Sequence, residues 1–209
     1  MSIRFRSVNA NKHGKPLFSN VSFDIQDGEI VYLNNDDDVD RAILNVIAGL
    51  EKVSSGAITI SGYDLDSMSG KEKTAFFRNT VSYLRGYFLQ SNLTVHDNIA
   101  LPGMFLGMPW REINSRVESI AKKFDITNLL KKKPNFLSDK EKEKVCVART
   151  LFVNPKIILA IEPSEWAIAA LSDYTREKSA IFLITSNNSD LEKFATRTLR
   201  IERQTGGEK

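Results

Sequence analysis

Apolar and polar residues alternate at the start of the chain. Ile3 and Phe5 are spaced by Arg4 and Arg6, and Val21, Phe23 and Ile25 by Ser22 and Asp24. A period of two predicts strands with one buried face. A turn at Gln26-Asp27-Gly28 leads into residues 29–33, a more continuous apolar strand. The chain then turns polar through Asn34-Asn35-Asp36-Asp37-Asp38. Beyond it Ala42, Ile43, Val46, Ile47 and Leu50 recur at helical spacing. Strand, polar loop and helix in succession are the opening of a βα unit.

Further on, residues 57–60 with a turn at Ser61-Gly62, and residues 81–84, read as strands. The middle is helical: Ile113, Val117, Ile120, Ala121 and Phe124 form a stripe behind Pro109-Trp110. Ser138 followed by Glu141 is a capping box. The helix it opens buries Val145, Ala148, Leu151 and Phe152 and stops at Asn154-Pro155. Residues 157–161 and 180–185 are apolar throughout, as central parallel strands are. Ser189 and Glu192 read as a second capping box, residues 198–201 as a last strand, and 204–209 as a loose tail. No internal repeat and no low-complexity linker divides the chain.

The 209 residues are 42% hydrophobic and 26% charged, which suits one α/β domain. A net charge of +3 is too mild to argue for nucleic acid. One cysteine, Cys146, excludes a disulfide scaffold and a multi-cysteine metal site. No apolar run approaches the ~20 residues that span a bilayer. The amino end lacks the apolar stretch of a signal peptide. The expectation is a soluble protein of a reducing compartment.

Several phrases carry a family resemblance. They are Leu17-Phe18-Ser19-Asn20-Val21-Ser22-Phe23-Asp24-Ile25, Asn45-Val46-Ile47-Ala48-Gly49-Leu50, and Ser54-Ser55-Gly56 with Ile58-Thr59-Ile60-Ser61-Gly62. Others are Leu93-Thr94-Val95-His96-Asp97-Asn98-Ile99-Ala100-Leu101-Pro102, Ala148-Arg149-Thr150-Leu151, Asn154-Pro155-Lys156 and Glu162-Pro163. The chain resembles the nucleotide-binding subunit of an ABC transporter over almost its whole length. With Leu106-Gly107-Met108-Pro109, it is most similar to the lipoprotein-release, macrolide-export and division-associated group. The resemblance implies an ABC-ATPase-like α/β core, a mixed or parallel sheet with an antiparallel β subdomain, over about 1–84 and 152–203. A helical subdomain is implied over about 85–151.

Set against that family, the positions that touch nucleotide depart from the pattern. A phosphate loop reads G-x-x-x-x-G-K-[ST], so that backbone N–H groups and a lysine meet the phosphates and a hydroxyl meets Mg²⁺. Here the glycines are Asn34 and Val39, the lysine is Asp40 and the serine is Arg41, with Asp36, Asp37 and Asp38 between. Like charges in close contact cost roughly 1 kcal/mol in water and several near a protein surface. The carboxylates therefore oppose a polyphosphate, and Asp37 or Asp38 is expected to cap the helix in a phosphate's place. The spacing of Asn34, Asp36 and Asp38 is like the start of an EF-hand. Val39 and Asn45, however, stand where that loop needs glycine and glutamate, so no metal site is expected.

Elsewhere Arg85 replaces the expected glutamine, and the signature reads Leu137-Ser138-Asp139-Lys140-Glu141. Ile161 replaces the Walker B aspartate, Ile168 stands where a later aspartate is expected, and Ser186 replaces the switch histidine. His13 lies near the place of the adenine-stacking aromatic. Glu162 survives as the one catalytic-type residue, without the lysine or metal that would give it a substrate. The stretch from Glu162 to Ser186 is short for the family by roughly two helical turns.

The resemblance implies a pseudo-ATPase: a non-catalytic scaffold subunit of a bacterial inner-membrane ABC-type complex, with no ATP or Mg²⁺ bound tightly. Its partners would be an integral membrane permease and a second ABC-type subunit, itself or a paralogue. It would sit peripherally on the cytoplasmic face. The surface expected to dock a coupling helix comprises Arg85, Tyr87, Phe88, Leu89, Leu93 and Phe105, with Tyr83 and Met104 beside them. The alternative is a slow or atypical ATPase subunit exporting lipoprotein, lipid or peptide, with Arg41 as its local cation. Trp166 is open to core or interface. The runs Lys131-Lys132-Lys133 and Lys140/Lys142/Lys144 are open to a solvated face, anionic lipid or an acidic partner loop. Cys146 reads as a small hydrophobe, His96 as an isolated histidine with no ligand spacing, and Ser138 as a helix cap.

Overall fold

The computed structural model describes residues 1–12, 15–65 and 67–201; His13 and the 204–209 tail lie outside them. Two sheets organise the chain. The first is antiparallel, in the order β2-β1-β4-β5, from β1 (Ser2–Lys12), β2 (Lys15–Gln26), β4 (Ser55–Ile60) and β5 (Tyr63–Asp64). The second is parallel, in the order β6-β7-β8-β3-β9. Its strands are β3 (Ile30–Leu33), β6 (Val81–Arg85), β7 (Ile157–Ile161), β8 (Ile181–Thr185) and β9 (Arg197–Leu199).

The parallel sheet is covered on both faces, which is why its central strands are unbroken apolar runs. Val31, Leu33, Leu159 and Leu183 face the antiparallel sheet and α1 (Asp37–Ile47). Their neighbours Ile30, Tyr32, Ile158 and Phe182 face the helical layer. That layer holds α3 (Val95–Phe105), α4 (Trp110–Lys123), α5 (Asp139–Leu151) and α6 (Glu165–Lys178); α2 (Gly70–Thr80) leads into β6. The insertion of α3–α5 between β6 and β7, which are paired neighbours, builds the helical layer from one continuous stretch.

Two local devices set the helices. Ser138 accepts from Glu141 N–H at 3.3 Å and Glu141 Oε2 accepts from Ser138 N–H at 2.7 Å, the predicted capping box. The same box at Ser69 and Glu72 opens α2, which the apolar pattern did not announce. The box expected at Ser189 and Glu192 is corrected. Asn188 caps a 3-10 turn over Ser189–Phe194 through Asp190 N–H, and Glu192 accepts from the Thr198 hydroxyl instead. Ile168 lies fully buried inside α6.

Candidate functional site

The carboxyl ends of β3, β7 and β8 converge, the usual place for a ligand site in a parallel sheet. After β3 only Asn34, Asn35 and Asp36 precede α1. Helix geometry is adopted from Asp37, so Val39 N–H (2.8 Å) and Asp40 N–H (3.0 Å) both donate to the Asp36 carbonyl. Asn34 N–H donates to Leu199 O at 3.1 Å. No residue from Asn34 to Ala42 takes a left-handed conformation.

The Asp36 side chain makes no cap hydrogen bond. The sequence led us to expect Asp37 or Asp38 as the cap; the Asn35 N–H of the loop donates to Asp40, one turn into the helix. Asp40 is 3% exposed. Its Oδ1 accepts from Asn35 Nδ2 at 2.6 Å, and its Oδ2 from Asn35 N–H (3.3 Å) and the Thr185 hydroxyl (3.1 Å). Burial pushes its pKa above the usual carboxylate value, against the lowering effect of those donors and with a further push from Asp37. Asn35 in turn accepts from Ile201 N–H at 2.5 Å, so Asp40 and Asn35 join β3, β8 and the chain beyond β9.

Glu162 follows β7 at a left-handed φ of 49°. Its carboxylate accepts from the Ser186 hydroxyl (2.6 Å) and Asn187 N–H (2.8 Å), and the Tyr32 hydroxyl donates to Ser186 O (2.7 Å). Around the corner, Arg41 and Arg85 line one cavity of about 200 Å³ with Asp38, Asn45, Glu51 and Ile161. Arg41 reaches Asp37 at 4.0 Å. Arg41 is therefore not the one local cation: Arg85, from the end of β6, joins it, a meeting that only the strand order reveals. Asn35, Thr185 and Tyr32 were also missed, although each stands in or just beyond the last turn of a predicted strand. Among the described residues no group of three or more His, Cys, Asp or Glu is placed to hold a metal ion.

The expected docking residues divide. Phe88 (66%) and Phe105 (67%) are exposed, as are Met104 and Arg85. Leu89 does not line a surface; it is 7% exposed and belongs to the core. Leu93 is half-buried. Tyr87 packs against the core, and its hydroxyl donates to Glu143 Oε1 (2.8 Å) and accepts from Ser164 N–H (2.9 Å). With the Ser164 hydroxyl also bonded to Glu143, this triad joins the loop after β6 to α5 and to the start of α6. Arg149 adds a bond to Phe88 O at 2.7 Å. Cys146 is fully buried, its thiol pushed up to about 11 by desolvation. Trp166 packs edge-on to Phe124, centroids 6.0 Å apart, and stays partly exposed. The His96 ring lies 3.1 Å from the Asp97 carboxylate.

Comparison with known proteins places this geometry. The backbone superposes on dimeric structures of the ATP-binding cassette MJ0796, one of them bound to ADP and Pi. The TM-score is 0.80 over 98% of this chain and all of that one, at 22–23% identity, which establishes the fold. The methionine import ATP-binding protein MetN of Clostridium acetobutylicum is 32% identical over 190 residues, 90% of this chain; the match spans 58% of that relative's length. The cell division ATP-binding protein FtsE of Escherichia coli is 30% identical over 173 residues, 82% of this chain and 78% of FtsE. The sequence model for the ABC transporter family matches residues 42–165, beginning just past the Asp-rich loop. On that match and on the FtsE similarity, the chain belongs to the ABC transporter family.

Proposed function

We propose that the chain is a non-catalytic member of this family, a scaffold subunit that docks a membrane permease at the cytoplasmic face of a bacterial inner membrane. The observation that carries the reading is the Asp40 network. In a phosphate loop, unbonded N–H groups and a lysine face the nucleotide. Here the N–H groups of Asn35, Val39 and Asp40 have partners within the chain, and a buried carboxylate stands where the resemblance puts the lysine. The residues present do not fit a magnesium nucleotide. Ile161 and Arg85 offer no oxygen to the metal, and Glu162 is engaged by Ser186 and Asn187. The fit fails on donor chemistry, so no hydrolytic step is assigned to this chain.

A second reading has its own support. MetN and FtsE both carry ATP-binding in their names, and Arg41 and Arg85 share a cavity beside the loop. Under it, the chain is a slow ATPase subunit whose two guanidiniums receive the phosphates. Calorimetric titration of the purified chain with Mg-ATP separates the two. The scaffold reading expects no saturable heat up to millimolar nucleotide. Binding in the micromolar range would overturn it in favour of the second.

The rest of the assignment follows the family. No helix among the described residues is long and apolar enough to cross a membrane, so attachment would come through a permease subunit. Phe88 and Phe105 supply exposed rings for a helix-in-groove contact, and Arg85 a cation beside them. A second ABC-type subunit, a copy of this chain or a paralogue, completes the complex.

A further inference from the structure

A cavity of about 360 Å³ lies between α1, α2 and β4, and shares only Glu51 with the Arg41 and Arg85 cavity. Its floor is apolar: Val46 from α1, Ile58 from β4, Phe77 from α2, and Val53 and Leu65 from the chain around them. Phe77 closes one side. Its ring lies on Gly49, where a Cβ would come within 2.2 Å of it. The rings of Phe76 and Tyr63 carry the apolar wall outward from Phe77, at centroid separations of 5.5 Å and then 5.7 Å. Because Lys73 and Phe77 stand over open space rather than over packed side chains, α2 leaves both only half-buried.

The charged part of the lining is Lys52, Lys73 and Glu51. Neither lysine forms an ion pair among the described residues. Glu51 is engaged, accepting from Asn45 Nδ2 at 2.9 Å. Two ammonium groups and one carboxylate leave a single positive charge over the apolar floor. An apolar cavity with a few polar groups to fix orientation is the common form of a small-molecule site, and its size falls at the small end of the range of about 300–1,000 Å³. We propose that the cavity binds a small apolar monocarboxylate of the medium-chain fatty acid class. The chain of that ligand lies over Val53, Leu65 and Phe77, and Lys73 and Lys52 hold its carboxylate. One net charge suits one carboxylate, and the floor offers a phosphate or dicarboxylate no further donor. The inference goes beyond the scaffold reading and does not depend on it.

Calorimetric titration of the full chain with decanoate, kept below its micelle concentration, should show one saturable site. Amide NMR shifts should be confined to the residues that line the cavity. Decanol has the same chain without the charge and should bind about tenfold less tightly or worse, the loss expected when a charge-assisted bond is removed. Lys73→Glu should weaken decanoate by about tenfold or more, and Lys73→Arg should restore most of the affinity. Lys73 is bonded to no other side chain, so both variants should melt close to wild type. Val53→Trp should fill the cavity and abolish binding of decanoate and decanol alike. If that variant fails to fold, the Lys73 pair still decides. No saturable binding up to millimolar decanoate overturns the proposal, as does an affinity indifferent to Lys73→Glu or equal for decanol. So does competition by inorganic phosphate at equal concentration, which would assign the lysines to a free anion.

Discussion

Asp40 is a buried carboxylate with three donors and a raised pKa, and the sign of its effect on stability follows. Its folded pKa lies above the unfolded reference of 3.8. As pH rises past 3.8 the unfolded chain loses this proton before the native chain does, so the group's contribution to stability declines until its folded pKa is passed. Urea unfolding of wild type and Asp40→Asn across the acid range should therefore diverge, the wild type losing stability relative to the variant as pH rises. Parallel pH profiles would sink the assignment. Asp40→Ala strands the Asn35 and Thr185 donors and should lower stability by about 1–3 kcal/mol. Glu162 makes the opposite kind of prediction. If it held a catalytic water, Glu162→Gln would abolish ATP turnover in any complex containing the chain. As a tie between the ends of β7 and β8, it should leave such turnover unchanged, because a glutamine carbonyl still accepts from Asn187 N–H. Steady-state phosphate release from the two complexes decides the matter.

Helix α3 shows how closely the helical layer packs. A Cβ at Gly103 would lie 2.5 Å from the Phe152 ring and 3.1 Å from Ile113. Phe152 is 1% exposed, so its ring can yield only by displacing its core neighbours. An alanine in a helix normally gains about 1 kcal/mol over glycine, whereas overpacking a core costs about 1–3 kcal/mol. Gly103→Ala should therefore be destabilised by up to about 2 kcal/mol in equilibrium unfolding; a stabilised variant would show that the layer yields. The elements themselves were largely legible in the chain. Period-two alternation gave β1 and β2, unbroken apolar runs gave β7 and β8, and the Ser138 and Glu141 pair gave the start of α5. Where sequence reasoning failed, a local signal had two uses. Ser189 and Glu192 fit a capping box, but Thr198 from the next strand competes for the glutamate. The α2 box was overlooked because its helix buries little beyond Thr80 and shows only a weak apolar stripe.

At the scale of the molecule, the candidate site was half legible. The order of residues placed Asp40 shortly after β3, where it falls in the first turn of α1, and Glu162 directly after β7. Their partners Thr185, Ser186 and Asn187, and the meeting of Arg41 with Arg85, depend on which strand ends lie side by side. The docking surface divides for the same reason. Phe88 and Leu89 are adjacent in sequence, yet one is 66% exposed and the other 7%. That contrast makes a test of the proposed permease contact that does not confuse binding with folding. Exposed residues away from caps and networks change stability by within about 0.5 kcal/mol. Phe88→Ser with Phe105→Ser should therefore melt close to wild type. Aromatic anchors at interfaces carry about 2 kcal/mol or more each, so the same variant should lose its membrane subunit on co-purification. Leu89→Ser should show the reverse pattern: a folded fraction much reduced, because a core side chain is replaced by a hydroxyl at an apolar site, with binding retained by whatever protein remains folded. Retention of the membrane subunit by the double phenylalanine variant would move the contact elsewhere on the molecule. Loss of it together with a collapsed melting temperature would mean that Phe88 and Phe105 stabilise the fold rather than the complex.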